Sequence, residues 1–421
     1  MRIAVVSYSR RKIGGTEQNL DVVLPEFSRR GHDSIFAYVC DEPQSRDVIR
    51  TAHSTGLLNI GATGRLRALA AIRAFQPDVI NVHGEIPPSL QSALPEIAPA
   101  AYSMHNYYGS CISGLKTFQF PIVQPCSRRF GAACLGLYFP RRCGGKSPVT
   151  MLRRFQTERE RLRSLTKFDA VIVYSAHMEA ECLRHGLHPE RVYGLPYEVA
   201  ARSHFTSSEI HTPLESEARL LFVGRMEKLK GGCKLIDALP MIRARLRRRV
   251  TLDLGGDGPD RPSWQARALS VMARDSAISI NFHGWLDRPS VERHLALAHL
   301  LVVPSLWPEP FGKVGPEAAA FGVPVAAFAV GGISEWLTAG VNGFLAPGDP
   351  PTSSGLSEAV SKCLEDPELY LRLREGAVQS AQRFHLKGHV DHLLRLFQQI
   401  CRDRREDSTK GVSRHARCGA M

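Results

Sequence analysis

Short apolar runs alternate with amphipathic stretches along most of the chain. Residues 3–7 form the first such run. After a Gly14-Gly15 turn, residues 16–30 carry Leu20, Val23, Leu24 and Phe27 at helical spacing. Pro25 falls inside that pattern and predicts a kink or an early break. Gly31 closes the helix, as a glycine just past a C-terminus does. Further buried-strand runs lie at 34–40, 78–82, 100–104 and 170–175. Strands separated by helices predict a parallel sheet covered on both faces.

The pattern lapses over 196–213, where Ser, His, Thr and Pro replace periodic apolar residues. A second alternation then begins, with strands expected at 219–223, 250–254, 278–282, 300–304 and 324–328. Helices are expected at 231–248, 291–299 and 357–384, and a loop at 340–350. The expected organisation is two doubly wound α/β domains, 1–200 and 217–385, joined by a linker at 201–216. The first carries a cysteine-containing segment at 108–146. A short helical segment, 386–401, follows the second domain. Residues 402–421 are polar and mixed in charge, and are expected to be a disordered tail. No repeat at solenoid spacing is visible.

Composition narrows the class. The apolar fraction is 43 % and the charged fraction 23 %, values ordinary for a water-soluble globular protein. The longest apolar stretch, 323–333, is broken by Pro324, Gly331 and Gly332, so no membrane-spanning helix is expected. The N-terminal run lacks the apolar core and cleavage site of a signal peptide. These features predict a cytoplasmic protein. None of the ten cysteines forms a Cys-x-x-Cys pair, and reduced thiols are expected. The net charge of +13 favours acidic partners such as nucleotide phosphates or an anionic lipid surface. Nucleic acid is disfavoured, because no base-reading motif accompanies the charge.

Candidate chemistry concentrates in a few turns. Glu309-Pro-Phe-Gly-Lys-Val-Gly-Pro-Glu317 places two carboxylates across a Gly- and Pro-rich turn that follows the run 300–304. Ligands of open parallel sheets bind beyond the carboxyl ends of strands, and a carboxylate accepts several hydroxyl hydrogen bonds. Spacing alone equally allows Glu317 to complement a helix dipole and Glu309 to be solvated. In Gly224-Arg225-Met-Glu-Lys-Leu-Lys230-Gly231-Gly232, Arg225 offers a planar fork and Lys230 a point charge for phosphate oxygens. An exposed basic loop reads the same way. Gly256, in Gly255-Gly256-Asp257-Gly258, and the pair Gly14-Gly15 fit either a backbone approach to phosphate or simple chain reversal. His105 follows the run 100–104 and is either a cleft residue or a hydrogen-bonded structural histidine.

Taken in order, these pieces resemble the retaining GT-B glycosyltransferases of family 4. The matching series is Gly14-Gly15-Thr-Glu, Pro77-Asp-Val-Ile-Asn-Val-His83, His105-Asn106, Val223-Gly-Arg…Lys230-Gly, Gly256-Asp-Gly-Pro259, Glu309 to Glu317, Gly322-Val-Pro-Val325 and Gly331-Gly332-Ile-Ser-Glu335. The resemblance spans roughly residues 1–385. It implies two Rossmann-like domains facing each other across a cleft, with a UDP- or GDP-sugar donor held mainly by the second. It further implies that Arg225 and Lys230 hold the diphosphate and that Glu317 binds the ribose. Glu309 would contact the sugar, helped by amides near Phe311 and Gly312, with Gly224 and Gly256 lining the donor site. Gly14 and Gly15 would meet the phosphates from the first domain, and His105 the sugar. Such enzymes are thought to retain anomeric configuration by front-face displacement. Their last helices often cross back to the first domain, which 386–401 is placed to do.

The chain departs from the family at Lys313 and Pro316, where aliphatic residues are common. Lys313 is expected either near the phosphates or pointing to solvent. No Asp-x-Asp occurs anywhere, so no metal-bridged diphosphate is expected and no cofactor beyond the nucleotide-sugar. Cys111, Cys126, Cys134 and Cys143 offer four thiols for a structural zinc, though without the usual close pairs. The acceptor is expected to be a glycan, a polysaccharide or a lipid-linked sugar. Arg128, Arg129, Arg141, Arg142, Arg153 and Arg154 suggest peripheral contact with an anionic membrane, or else a solvated basic surface. A nucleotide-sugar 2-epimerase and a non-catalytic binding subunit are the competing functions.

Overall fold

The computed structural model describes residues 1–12, 14–41, 47–198 and 216–418, with side chains described to residue 406. The 201–216 linker expected from sequence lies almost wholly outside the described residues.

The first domain is built on a seven-stranded parallel sheet. Its strands are β1 (Arg2–Ser9), β2 (Asp33–Cys40), β3 (Gly56–Asn59), β4 (Val79–His83), β5 (Ala100–Ser103), β8 (Ala170–Val173) and β9 (Val192–Gly194), in the order β3-β2-β1-β4-β5-β8-β9. A two-stranded ribbon of β6 (Thr117–Phe118) and β7 (Gln124–Pro125) stands apart in the cysteine-containing insertion. The second domain holds β10 (Glu217–Val223), β11 (Arg249–Gly255), β12 (Ile278–Gly284), β13 (Leu300–Val303), β14 (Val325–Phe328) and β15 (Gly343–Ala346), in the order β12-β11-β10-β13-β14-β15. All pairings within the two large sheets are parallel. The central strands are near-continuous Val, Ile, Leu and Ala runs because helices bury both of their faces. Chain direction across each sheet reverses once, between β1 and β4 and between β10 and β13. Those switch points are where a parallel sheet leaves a crevice for a ligand.

Several boundaries differ from the sequence expectation for identifiable reasons. The first helix, Gly15–Arg29, continues past Pro25, because Leu20, Val23, Leu24 and Phe27 hold one face against the core. The single helix expected over 357–384 is two helices, Ser353–Leu364 and Pro367–Ala381. Asp366 caps the second through the Glu368 N–H at 2.9 Å, and the proline ring restricts the residue before it to extended backbone. The expected loop at 340–350 contains β15, a four-residue strand too short to show alternation.

The last helix, Leu386–Cys418, returns to the first domain. Phe397 packs its ring 6.3 Å from that of Phe27, and both are fully buried. Arg30 is ion-paired with Asp391, and the Cys401 thiol lies 3.3 Å from the Asp78 carbonyl. Arg404 donates to the Pro95 carbonyl at 2.6 Å and to Asp169 at 3.1 Å. Helix therefore continues into the segment expected as a disordered tail from 402. Its first turns there are tied down by Arg404, which sequence polarity did not reveal. Each buried Phe contributes about 1.5–3 kcal/mol, enough to hold one face of the first domain closed.

Candidate functional site

The loop following β13 and the loop following β10 are pinned to each other by a glycine. Gly231 has φ of +71°, and a Cβ there would lie 1.8 Å from the Pro304 carbonyl oxygen. The Leu306 N–H donates to the Leu229 carbonyl at 2.8 Å. This close approach sets Lys230 beside Glu309. The Lys230 ammonium donates to one Glu309 carboxylate oxygen at 2.6 Å. Ser305 Oγ and Trp307 Nε1 donate to the same oxygen at 2.6 and 2.8 Å. The Lys230 ammonium also stands 5.4 Å from the centroid of the Trp307 ring. Glu309 is only 6 % exposed, so these donors offset the cost of burying its charge. Its backbone is fixed as well, because the Gly332 N–H donates to the Glu309 carbonyl at 2.6 Å.

Past Glu309, Phe311 is buried and its carbonyl accepts from Trp336 Nε1 at 2.6 Å. Gly312 has φ of +85°, which turns the chain into the helix Val314–Ala319. Glu317 lies in that helix's first turn and is half-buried. Burial pushes its carboxyl above the usual range, with Lys313 and Arg288 opposing the shift. Lys313 is directed at the first domain and not at open solvent. Its ammonium lies 2.6 Å from Glu198 of the first domain, a carboxylate that also accepts from Asn19 and faces His389 Nε2 at 3.8 Å. Glu198 is 1 % exposed. Lys313 is therefore a strut between the domains.

The remaining residues of the expected donor site are differently engaged. Arg225 is exposed and ion-paired with Glu227 at 2.8 Å. Gly224 and Gly256 pack backbone to backbone: a Cβ on Gly256 would lie 1.9 Å from the Gly224 carbonyl oxygen. That contact excludes a side chain at Gly256, whose φ is +132°, whereas a Cβ on Gly224 would meet only the Phe222 ring, at 3.3 Å. Gly14 precedes the helix Gly15–Arg29, and its N–H donates to the Glu17 carboxylate at 2.8 Å. Among the described residues, its chain neighbours and its own helix backbone aside, nothing lies within 4 Å of a Cβ placed on Gly15.

His105 belongs to a chain of hydrogen bonds running across the strand ends of the first domain. Ser103 Oγ donates to Asn81 Oδ1 at 3.1 Å, and Asn81 Nδ2 lies 2.6 Å from His83 Nε2. His83 Nδ1 lies 3.0 Å from His105 Nε2, and His105 Nδ1 is hydrogen-bonded to Tyr197 Oη. If the Asn81 amide donates, His83 carries its proton on Nδ1 and His105 on its own Nδ1. Burial drives the pKa of His83 down to about 3 and that of His105 well below normal. Both His105 nitrogens are thus occupied, and a sugar hydroxyl would have to displace Tyr197 or meet the ring edge. Tyr197 stacks on Tyr174 at 3.9 Å and touches Phe311 of the second domain at 5.6 Å between centroids.

Sequence reading missed Ser305, Trp307, Glu198, Tyr197 and Tyr107. The strand-end rule was the available signal for Ser305 and Trp307, which lie between β13 and Glu309. Tyr107 is fully buried at the edge of Trp307, with ring centroids 6.4 Å apart. Its hydroxyl has no hydrogen-bond partner among the described residues.

Among the described residues no group of three or more His, Cys, Asp or Glu side chains is arranged to hold a metal ion. Cys111, Cys126, Cys134 and Cys143 are half-buried free thiols. Cys134 and Cys143 pack instead on a small apolar cluster of Ile112, Phe130 and Tyr138. Burial pushes the Cys143 thiol up to about 12. Among the described residues no helix is long and apolar enough to cross a membrane.

Beside the Lys230 loop runs a groove of about 550 Å³. Gln119, Pro121, Ile122 and Val123 of the insertion form one wall, and Lys228, Lys234 and Trp264 are on the other side. The Lys228 ammonium lies 3.5 Å from the Gln119 carbonyl across it.

Known proteins share both the sequence and the architecture. Residues 205–380 match the family Glycosyl transferases group 1, and residues 13–196 match Glycosyltransferase Family 4. A D-inositol 3-phosphate glycosyltransferase of Catenulispora acidiphila is 33 % identical over 229 residues, covering 51 % of this chain and 53 % of the relative. A glycogen synthase of Mycobacterium tuberculosis is 37 % identical over 170 residues, covering 40 % and 39 %. The chain spans about half the length, or less, of these curated relatives. Among solved structures, the HepE protein of Anabaena with UDP and glucose superposes with a TM-score of 0.65 at 20 % identity, over 94 % of this chain and 99 % of that one. The sucrose-phosphate synthase of Thermosynechococcus elongatus gives 0.67 at 19 %, over 95 % and 99 %. The fold is thus GT-B, two Rossmann-like domains.

Proposed function

Because the chain belongs to the group 1 glycosyl transferases, with a family 4 first half, we propose that it transfers a sugar from a nucleotide-sugar to a glycan, polysaccharide or lipid-linked acceptor. The observation that carries this reading is the Lys230–Glu309 pair at 2.6 Å, held where the sheet order reverses beside β13. It combines a cation for the leaving diphosphate with a carboxylate for sugar hydroxyls, one beside the other. An ammonium has three donors, so Lys230 can keep Glu309 while binding a phosphate oxygen. Arg225 is exposed and can exchange its Glu227 partner for phosphate. The amide groups opening the helix Gly232–Leu246 add a partial positive charge.

In this reading Glu317 binds the ribose, and Glu309, with the amides around Phe311 and Gly312, positions the sugar. The bond between the sugar's anomeric carbon and the diphosphate oxygen breaks. The acceptor oxygen bonds to the same face of that carbon, and its proton passes to the departing phosphate. Configuration is retained and no metal takes part, positive charge coming from Arg225, Lys230 and helix N-termini. The structurally similar HepE, solved with UDP and glucose, supports a UDP-sugar, with a GDP-sugar the alternative. The setting proposed is the cytoplasm or its membrane face.

The test is product analysis with purified protein, UDP- and GDP-sugars and a panel of acceptors, with and without a chelator. A new glycoside whose anomeric configuration matches the donor, formed equally with chelator, is the expected result. Inverted product or chelator-sensitive turnover overturns the mechanism. An isomerised donor would identify an epimerase, and binding without turnover a non-catalytic subunit.

A further inference from the structure

From residue 97 to residue 157 the chain contains no Asp or Glu. This acid-free span covers the whole insertion and the first turns of the helix Pro148–Leu165. Apart from Lys116, which is buried and ion-paired with Glu181, its cations are numerous and exposed or half-exposed. Arg128, Arg129, Arg142, Lys146, Arg153 and Arg154 are exposed, and none has an ion-pair partner among the described residues. Elsewhere on the surface arginines are commonly neutralised, as in Arg29–Glu26, Arg267–Asp237 and Arg288–Glu292.

The same span exposes large apolar side chains. Phe120, Ile122, Phe139, Val149 and Leu152 are between 41 and 60 % exposed. Cations and apolar groups interleave: the Arg142 guanidinium lies over the Phe120 ring at 4.6 Å, and the Arg142 N–H donates to the Phe139 carbonyl at 3.1 Å. The Gln119 N–H donates to the Arg141 carbonyl at 2.9 Å, which ties the ribbon tip to the 139–142 turn. Beneath them, Phe130, Tyr138, Met151 and Phe155 form a separate apolar cluster, so the insertion and the helix start are one packed unit.

We propose that this face docks on an anionic lipid bilayer, with Phe120 and Phe139 entering the interface and the surrounding arginines meeting lipid phosphates. Cations beside exposed aromatic rings suit a surface that is charged above and apolar below. A soluble polyanion would satisfy the cations but leave the rings in water. The groove between the insertion and Lys228 then opens beside the membrane, where the headgroup of a lipid-linked acceptor can reach the Lys230 loop. That last step rests on the transferase reading; the docking itself does not.

The experiment is co-sedimentation of the full chain with phosphatidylcholine vesicles, with and without phosphatidylglycerol, at rising salt. Binding only to the anionic vesicles is expected. It should fall roughly fivefold for each cation removed in Arg142→Gln, Arg153→Gln and Arg154→Gln. The pair Phe120→Ser and Phe139→Ser should lower it at least about tenfold, with thermal stabilisation by UDP unchanged. Retained UDP stabilisation separates a docking failure from a failed donor site or a misfolded variant. No binding at low salt overturns the proposal. So does binding that ignores the Phe120 and Phe139 changes and is competed equally by soluble RNA, which would mark a nucleic-acid or polyanion surface.

Discussion

Lys230 and Glu309 meet through a single carboxylate oxygen, which also accepts from Ser305 and Trp307. Three donors on one oxygen leave the other Glu309 oxygen outside this set. The carboxylate is therefore anchored at one end, and in the proposed reading its second oxygen takes a sugar hydroxyl. Lys230→Ala should remove the cation and one of the three donors. Nucleotide affinity is expected to fall about tenfold or more, and stability by about 1–3 kcal/mol. Calorimetric titration with UDP and a urea midpoint measure the two losses separately.

Glu309 and Glu317 should separate in their effects. Glu317→Ala is expected to weaken binding of free nucleotide. Glu309→Gln should lower turnover at least about a hundredfold while leaving free-nucleotide affinity within about threefold. The opposite pattern would show that the two carboxylates exchange roles.

The Lys313–Glu198 contact joins the domains through a carboxylate with almost no access to water. Lys313→Met leaves Glu198 with Asn19 and the neighbouring His389, and should cost about 2 kcal/mol or more. Adding Glu198→Gln should recover part of that loss. Thermal melts of the single and double variants give the coupling; independent, additive losses would show that the two side chains do not cooperate.

Acid should destabilise the protein earlier than its carboxylates alone require. Burial lowers the pKa values of His83, His105, His185 and His389. Below about pH 6.5 the unfolded chain takes up protons that these folded sites refuse. Each such site then costs about 1.4 kcal/mol per pH unit, until its own folded pKa is reached. Glu158 acts oppositely. Burial raises it to about 7, so its contribution grows as the pH falls from about 7 toward the ordinary carboxylate value. Glu317, also raised by burial, acts in the same direction as Glu158. With His32 and His177 lowered as well, the histidines outnumber the two carboxyls, so the urea midpoint should drop between pH 7.5 and pH 5.5, and His83→Gln should flatten that drop.

Gly231→Ala tests the loop geometry. The added methyl would meet the Pro304 carbonyl at 1.8 Å in a backbone conformation that disfavours side chains. Loss of about 2 kcal/mol or more is expected, together with weaker UDP binding, because the same contact places Lys230. A stable variant that binds UDP normally would show that the loop tolerates displacement.

Periodicity made the two sheets legible, because buried parallel strands are written as unbroken apolar runs such as Leu300–Val303. It could not show β15 or β9, whose few residues have no period to read. The Glu309 turn was visible as a motif, but its partners were not. Lys230 lies far from it in sequence, and their meeting depends on how closely Gly231 approaches Pro304. Lys313 was legible only as a departure from the family pattern. Its partner Glu198 sits at the end of the first domain, and nothing local in the sequence links them. His83 was part of a quoted motif, but its role depends on Asn81 and His105 lying on adjacent strand ends.

The return of the helix Leu386–Cys418 also bears on how the chain matures. Phe27 and Asp78 belong to the part synthesised early, yet Phe397 and Cys401, which cover them, emerge only after the whole second domain. On the ribosome, the first domain must wait with an apolar face open to water. A chain released short of that helix would carry the same open face, which would make it a target for chaperones and proteases.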